Sequence, residues 1–144
     1  MPIKTVEFTD FEKQVAKTHK PALQLLAPGM GKAYVLAICR DNCPACKRQT
    51  PKLDKTAEEM TREHGNKLVF VRIHVKQPRG DNTESVRAKD IFRHYFYPTN
   101  MILFRTQDRG TIEYYRNSSP RITELKRNIK IALETAKMLS REKS

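Results

Sequence analysis

Two strongly apolar segments dominate the hydrophobic pattern of the chain, and the first of them is uninterrupted. One runs from Ala33 to Cys39, and the other runs from Leu68 to Val75. Continuous apolar runs of this length, bounded by turn residues, are typical of strands that are buried on both faces. The pattern therefore predicts two central strands of a sheet. A shorter β-prone segment, from Ile3 to Phe8, is expected to add a strand near the N-terminus.

The residues after this first strand carry a helix-start signal. The Thr9 hydroxyl and the Glu12 carboxylate match a capping box, in which the two side chains satisfy free backbone N–H groups. A helix is expected to begin there and to run towards His19, because Pro21 interrupts the helical pattern. The segment that follows, 27–31, is rich in proline and glycine and predicts a turn.

Three later segments carry helix-boundary residues or helical periodicity. Pro44 suits the first position of a helix, where its missing N–H group costs nothing. The last segment repeats apolar residues at helical spacing, which predicts one buried face. The expected helices run from Cys43 or Pro44 to about Glu63, from Asn82 or Thr83 to about His94, and from Ser119–Pro120 over an apolar face of Ile122, Leu125, Ile129, Leu133, Ala136 and Leu139.

A β-hairpin is predicted before the last helix. The segments 101–104 and 111–115 are β-prone, and they flank a polar turn that contains Gly110. The predicted order of elements is thus β-α-β-α-β-α-β-β-α. Parallel strands joined by helices and followed by a hairpin give an α/β fold, with a central mixed sheet and helices on both faces. The length of 144 residues suits a single domain over residues 1–144.

The net charge of the chain indicates which kinds of partner it would bind. The chain has 28 Lys+Arg against 16 Asp+Glu, a formal net charge of +12. This excess favours acidic partners. Nucleic acid is a less expected partner, because no basic run is interleaved with aromatic residues. The first residues are too polar for an export signal and no segment is long enough to span a membrane, so a cytoplasmic location is expected.

The chemistry is expected at Cys43 and Cys46, which form a Cys-Pro-Ala-Cys motif where a buried strand meets a helix. In a reducing compartment, a close cysteine pair is more often catalytic or metal-binding than structural. Unpaired N–H groups at a helix N-terminus stabilise negative charge, and so they favour the thiolate that disulfide exchange requires. Cys43 is expected to be exposed at the helix start, and Cys46 is expected one turn further in and more buried. Lys47 and Arg48 add positive charge nearby.

At these residues the sequence resembles the thioredoxin family. The motif is followed by Pro51, five residues after Cys46, where thioredoxins carry a helix-bending proline. Tyr97-Pro98-Thr99, just before a predicted strand, resembles the cis-proline loop of the family, and Gly110 occupies the hairpin turn. The resemblance covers nearly the whole chain in element order, and it implies the thioredoxin fold.

The resemblance also implies an activity. It implies a thiol–disulfide oxidoreductase that reduces protein disulfides, with Cys43 as the attacking thiol and Cys46 as the resolving thiol. Pro98 would be cis and face the pair, and Tyr97 could pair with an extended substrate segment. Its redox-active disulfide would be the only redox group, and the partners would be protein disulfides and an upstream thiol reductant. The expected substrate-binding residues are Asn42, Pro44, Ala45, Tyr97, Pro98 and Thr99.

Several residues depart from the family pattern. Asn42 stands where thioredoxins usually have tryptophan, and Ala37 stands where they usually have a buried aspartate that assists proton transfer from the resolving thiol. The Pro-Ala dipeptide replaces Gly-Pro and is more similar to that of glutaredoxins or periplasmic oxidants. These departures leave open the partner, the reduction potential and the proton acceptor.

Other interpretations of the same residues are weaker. Cys39, Cys43 and Cys46 have the spacing of the cluster-binding loop of radical S-adenosylmethionine enzymes, but the chain is too short for the barrel of such enzymes. A zinc site would need a fourth ligand, and no second ligand motif is present. Cys39 is better interpreted as a buried strand residue. His94 is the one histidine that could lie near the site, although a surface position is more ordinary.

A second function also stays open. The chain could be a thioredoxin-fold binding or scaffold protein that uses its basic surface, with a non-catalytic or sensory dithiol, because a fold does not fix a function. Nucleic-acid binding is a special case of this alternative.

Overall fold

The computed structural model describes residues 2–142, and within them a single mixed sheet forms the centre of the molecule. The strands are β1 (Ile3–Glu7), β2 (Ala33–Arg40), β3 (Leu68–Val75), β4 (Thr99–Arg105) and β5 (Thr111–Asn117). Their order across the sheet is β1-β3-β2-β4-β5. The first three strands are parallel, whereas β4 is antiparallel to β2 and β5 is antiparallel to β4. The predicted mixed sheet is confirmed.

Helices cover both faces of this sheet, also as predicted. They are α1 (Phe8–Thr18), α2 (Ala22–Leu26), α3 (Pro44–His64), α4 (Thr83–Phe92) and α5 (Ile122–Glu142), and a short 3-10 turn, Gly65–Lys67, follows α3. Buried residues of α3 and α5 share one core with one face of the sheet. Buried residues of α1 and α4 share a second core with the other face.

Strand β2 is the central strand of the sheet. Every residue from Ala33 to Cys39 is buried, as its apolar run predicts. Alternate side chains enter opposite cores, so that Val35 and Ala37 lie on the α3 side while Leu36 and Ile38 lie on the α1 side. The two-sided burial explains why the segment carries no polar positions.

The start of α1 differs from the prediction. The helix begins at Phe8, its N-cap is Glu7, and no side chain caps it. The capping box at Thr9 is therefore wrong. Parallel pairing with β3 continues up to Glu7, which lies opposite His74, so the chain passes from strand to helix without a loop. Phe8 is then already buried in the core, and Thr9 lies inside the first helical turn.

Topology brings two distant segments together at one edge of the sheet. Strand β2 ends at Arg40 and α3 begins at Pro44, so the Cys43 motif lies at the C-terminal edge of β2. Because β4 is antiparallel to β2, its first residue, Thr99, lies opposite Ile38 near that same edge. The loop that precedes β4 and contains Pro98 is therefore placed against the cysteines.

Candidate active site

The sulfur of Cys43 caps the N-terminus of α3. Cys43 is the N-cap residue, with extended backbone angles, and Pro44 is the first helical residue. The backbone N–H of Cys46 donates a hydrogen bond to Cys43 Sγ at 3.2 Å. The two cysteines form a disulfide with their Cα atoms 5.2 Å apart. In the reduced form, the same N–H group and the helix N-terminus stabilise a thiolate on Cys43.

The exposure of Cys43 differs from the prediction. Cys43 is only 3% exposed and Cys46 is 5% exposed, so the expectation of an exposed first cysteine is wrong. Cys43 is covered because the loop before β4 packs against it, and the carbonyl oxygen of Tyr97 lies 3.6 Å from Cys43 Sγ. Both cysteines nevertheless border an open cleft of about 460 Å³, which we call the Cys39 cleft because Cys39, Asp41, Lys47, Thr50 and Gln77 also line it.

Pro98 occupies the position that the resemblance implies. The Tyr97–Pro98 peptide bond is cis, and Pro98 is buried. The Tyr97 carbonyl that precedes it is the atom that contacts Cys43 Sγ. In the dithiol form, the Cys43 thiol can donate a hydrogen bond to that carbonyl. The loop thus presents a backbone edge beside the sulfurs, as expected.

The ring of Tyr97 anchors the loop internally. Its hydroxyl lies 3.0 Å from Ser85 Oγ, and the ring packs against both cores. Arg40 places its guanidinium carbon 5.4 Å from the ring centroid and donates hydrogen bonds from Nη1 to the carbonyls of Asp41 and Asn42, at 2.9 and 2.8 Å. Arg40 therefore ties the loop before Cys43 to the loop before Pro98.

The remaining expected substrate-binding residues surround the disulfide in different ways. Asn42 and Pro44 are exposed and Ala45 is half-buried. Thr99 is buried, and its hydroxyl donates to the Phe96 carbonyl at 2.6 Å. The exposed aromatic side chains of this region are Tyr95 and Phe96, at 82% and 68% exposure.

Comparison with known proteins settles the architecture. No protein-family model matches the sequence, and no curated protein matches it. Solved structures do match. The Trx4 domain of ERdj5 aligns with a TM-score of 0.60 at 14% identity, over 94% of this chain and 98% of that chain. Thioredoxin f from spinach chloroplast (short form) aligns with a TM-score of 0.57 at 19% identity, over 91% and 93% of the two chains. Trichomonas vaginalis thioredoxin aligns with a TM-score of 0.58 at 15% identity, over 90% and 96%.

This chain has the thioredoxin fold. At these levels of identity, the comparisons establish the fold of the chain and not its chemistry. The fold predicted from the Cys43 motif, Pro51 and the Pro98 loop is thus confirmed.

A charged cluster holds the loop before Cys43. His74 on β3 lies between two carboxylates, with Nδ1 2.8 Å from Glu7 Oε1 and Nε2 2.8 Å from Asp41 Oδ1. The second Asp41 oxygen accepts a hydrogen bond from the Gln77 N–H at 3.2 Å. Burial alone would lower the pKa of His74, but hydrogen bonds to Asp41 and Glu7 outweigh it and raise the pKa above its usual value. The His74 hydrogen bond likewise lowers the pKa of Asp41.

This cluster was not found by sequence reasoning. Glu7 and His74 are 67 residues apart, and His74 and Asp41 are 33 residues apart. The positions meet only because β1, β2 and β3 are neighbouring parallel strands whose C-terminal ends share one edge. A polar residue at the end of each predicted strand was the available signal.

Ala37 lies in the core between the sheet and α3, at the position where thioredoxins usually have a buried aspartate. Ala37 is 1% exposed, and its neighbours across the sheet are Arg72 on β3 and Asn100 on β4. Asn100 is fully buried and forms a reciprocal amide pair with Gln49 of α3, at 2.9 and 2.7 Å. Arg72 donates to Asp54 Oδ1 at 2.9 Å. Neutral amides and a paired arginine thus occupy the surroundings of Ala37.

Cys39 is a free and buried thiol, 7% exposed, on the same face of β2 as Ala37. Burial raises the pKa of this thiol, and the nearby Arg72 offsets only part of that effect. Cys39 therefore stays protonated at neutral pH. Its assignment as a buried strand residue is confirmed.

His94 lies behind the Pro98 loop and is buried, at 2% exposure, so its expected surface position is wrong. Its ring packs edge-on against Tyr97, with centroids 4.7 Å apart. Within residues 2–142 neither ring nitrogen has a hydrogen-bonding partner. Burial, with smaller contributions from Lys89 and Arg116, lowers the pKa of His94 to about 4. The imidazole is therefore neutral at physiological pH.

Two further properties bear on function. Over residues 2–142, no group of three histidine, cysteine, aspartate or glutamate side chains is arranged to hold a metal ion. In the same range, no helix is both long enough and apolar enough to cross a membrane.

Proposed function

We propose that this protein is a thiol–disulfide oxidoreductase that reduces disulfides in protein substrates. The observation that carries the proposal is the position of Cys43 Sγ, which accepts the Cys46 N–H at the N-terminus of α3. A sulfur in this position is stabilised as the nucleophilic thiolate. Cys46 is held within bonding distance of it.

The reaction begins from the dithiol. The Cys43 thiolate attacks one sulfur of the substrate disulfide, forms a mixed disulfide and releases the other substrate sulfur as a thiolate, which takes up a proton. The Cys46 sulfur, as a thiolate, then attacks Cys43 Sγ. This step forms the Cys43–Cys46 disulfide and releases the second substrate thiol. The substrate gains two electrons and two protons, and the protein dithiol loses the same number.

The Pro98 loop supports substrate binding in this scheme. An extended substrate segment can pair with the backbone edge at Tyr97, beside the sulfur that attacks. The exposed residues Asn42 and Pro44 and the half-buried Ala45 would flank such a segment, while Pro98 and Thr99 would shape the loop. The disulfide is the redox group, and no other cofactor enters the scheme.

An upstream thiol reductant must restore the dithiol. One of the similar structures, at 17% identity and a TM-score of 0.56, is a complex of ferredoxin:thioredoxin reductase with thioredoxin f2. That complex supports a reductase as electron donor for proteins of this fold. We place the reaction in the cytoplasm, where a thiol reductant keeps such dithiols reduced.

Reduction of insulin driven by dithiothreitol tests the activity. We expect the wild-type protein to accelerate precipitation of the insulin B chain. Cys43→Ser should abolish this acceleration, whereas Cys46→Ser should accumulate a mixed disulfide that non-reducing electrophoresis detects. The matched control is Cys39→Ala, which removes the third thiol and should retain the activity.

Two results would contradict the proposal. One is an unaccelerated reaction with folded wild-type protein, and the other is an acceleration that survives in Cys43→Ser. Circular dichroism of each variant separates loss of chemistry from loss of fold.

The burial of both cysteines favours one alternative, a binding or scaffold protein that uses its basic surface and has a non-catalytic dithiol. At 3% and 5% exposure, the two residues resemble a buried structural disulfide. Under this alternative, a Cys43→Ser/Cys46→Ser double variant would bind its partners with unchanged affinity. A binding measurement with the oxidised, reduced and double-serine proteins distinguishes the two functions.

A further inference from the structure

A second, smaller cleft adjoins the cysteine pair on a different side of α3. Its volume is about 150 Å³, and it is bordered by Ala45 and Pro98. Ala45 lies between the two cysteines in the chain, and Pro98 directly follows the residue whose carbonyl contacts Cys43 Sγ. A segment that passes over the disulfide can therefore place a side chain in this cleft. We call it the Arg48 cleft.

The floor of the Arg48 cleft is apolar and its rim is cationic. Leu53 and Leu125 are buried and line the floor together with Ile122. Arg48 and Lys52 border the cleft from α3. They are four positions apart, so they lie on one face of the helix, and both are exposed. Among the residues that the structure describes, no carboxylate borders this cleft.

These two cations are not neutralised within residues 2–142. Neither side chain forms an ion pair or a hydrogen bond there, whereas other cations on this side of the molecule do: Arg72 of β3 binds Asp54, Arg62 of α3 binds Glu58 and Lys126 of α5 binds Glu59. Like charges at this spacing destabilise a helix slightly. An anionic group placed between Arg48 and Lys52 would remove that repulsion and gain two favourable contacts.

The apolar floor and the cationic rim together indicate which type of side chain the Arg48 cleft would bind. An aspartate or glutamate side chain has a short apolar stem and an anionic end, which match the floor and the rim. Gln49 also borders the cleft, but its amide is already hydrogen-bonded to the amide of Asn100. It therefore binds a neutral polar group of a substrate less strongly than an unpaired amide would. The overall charge of +12 increases the encounter rate with acidic partners but does not select a position along them.

We propose that the Arg48 cleft is a specificity subsite that binds an acidic side chain of the substrate, located within a few residues of the half-cystine that Cys43 attacks. This proposal rests on the proposed oxidoreductase function and deepens it. It identifies the preferred substrate as a disulfide whose cysteine is closely followed or preceded by aspartate or glutamate.

Disulfide-linked peptides with a fluorescent reporter test this subsite. Glutamate is placed in turn at each of the three positions on either side of the attacked cysteine, and each peptide is compared with the same peptide carrying glutamine there. We expect kcat/KM to favour glutamate by about tenfold at one or two adjacent positions, a difference that corresponds to about 1.4 kcal/mol. Because the contact is electrostatic, the ratio should decrease at 0.5 M NaCl.

The double variant Arg48→Gln/Lys52→Gln provides the decisive comparison. In this variant, the ratio of kcat/KM for the glutamate peptide to kcat/KM for the glutamine peptide should fall to about 1 at every position. The matched control is Lys13→Gln/Lys17→Gln, which removes the same charge from exposed positions of α1, the helix on the opposite face of the sheet. The control should keep the wild-type ratio.

Each failure has its own signature. A wild-type ratio within twofold of 1 at all positions, or a ratio that survives in Arg48→Gln/Lys52→Gln, overturns the subsite while leaving the oxidoreductase function intact. Equal decreases of the ratio in both double variants would show that net charge alone selects the peptides, which also overturns the subsite. Peptides that stay oxidised whatever their sequence would contradict the oxidoreductase function itself.

Discussion

The buried imidazole of His94, which packs against Tyr97 of the Pro98 loop, makes the stability of the folded protein depend on pH. Its pKa of about 4 in the folded protein is lower than the value of 6.5 that it has without burial. The unfolded chain therefore binds a proton at this position more readily than the folded protein does. Stability contributed by the neutral ring is complete above about pH 6.5 and is lost as the pH falls towards 4.

His94→Phe tests this coupling. The variant keeps an aromatic ring against Tyr97 but has no group that titrates, so its free energy of unfolding should decrease less between pH 7 and pH 4.5 than that of the wild-type protein. Urea denaturation at the two pH values measures the difference. His19→Asn is the control, since His19 is exposed and should leave the wild-type decrease unchanged. An identical decrease in His94→Phe would contradict the assignment.

At the residue scale, local signals found the reactive groups but not their surroundings. Cys43, Cys46 and Pro98 were predicted because their spacing within the chain carries the information. The pairing of His74 with Glu7 and of Asn100 with Gln49 joins residues 67 and 51 positions apart, and no local pattern encodes it. The burial of Cys43 depends in the same way on a distant loop.

At the scale of elements, α3 and β4 are joined beneath the disulfide by one polar pair. Asn100 and Gln49 exchange two hydrogen bonds, and Asn100 has no access to water. Removing one member of such a pair leaves the other without its partner, whereas removing both members together avoids that penalty. The pair therefore fixes the position of α3, and with it the cysteines, relative to the sheet.

A double-mutant cycle measures this connection. Asn100→Leu should lower the free energy of unfolding by about 1–3 kcal/mol, because it leaves the Gln49 amide unpaired. The double variant Asn100→Leu/Gln49→Leu should recover part of that loss. Asn82→Ala, at an N-cap whose side chain forms no capping bond, is the control and should change stability by less than about 0.5 kcal/mol. Additive effects in the cycle would show that the two amides are not coupled.

Most elements followed from the sequence, and the five-residue helix α2 did not. The runs that form β2 and β3 and the start of α3 at Pro44 were predicted because burial or a missing N–H group fixes them locally. The five-residue α2 was missed, since a helix of that length has no periodic pattern of its own. Helix α5 begins at Ile122 and not at Ser119, because the Ser119 N–H donates to the Asn117 side chain in a turn.

At the scale of the whole molecule, the fold places the lysine and arginine side chains in two kinds of environment. Cations that face carboxylates hold elements together, as in the Arg72–Asp54 contact between β3 and α3. Arg48 and Lys52 instead border the Arg48 cleft, which adjoins the cysteine pair through Ala45 and Pro98. The composition predicted the net charge but not this division, because ion pairing depends on which helix faces pack on the sheet.

Ala37 has no side-chain group that could accept a proton from the second thiol, Cys46. Among residues 2–142, Asp41 is the one carboxylate that borders the Cys39 cleft, and its two oxygens already bind His74 and the Gln77 N–H. We therefore expect deprotonation of Cys46 to use water or a dissolved base that enters from outside. Single-turnover resolution of a mixed disulfide should therefore accelerate with imidazole concentration at constant pH and ionic strength, and Ala37→Asp should make the rate independent of the buffer. This protein would thus take its proton acceptor from the medium in which it works.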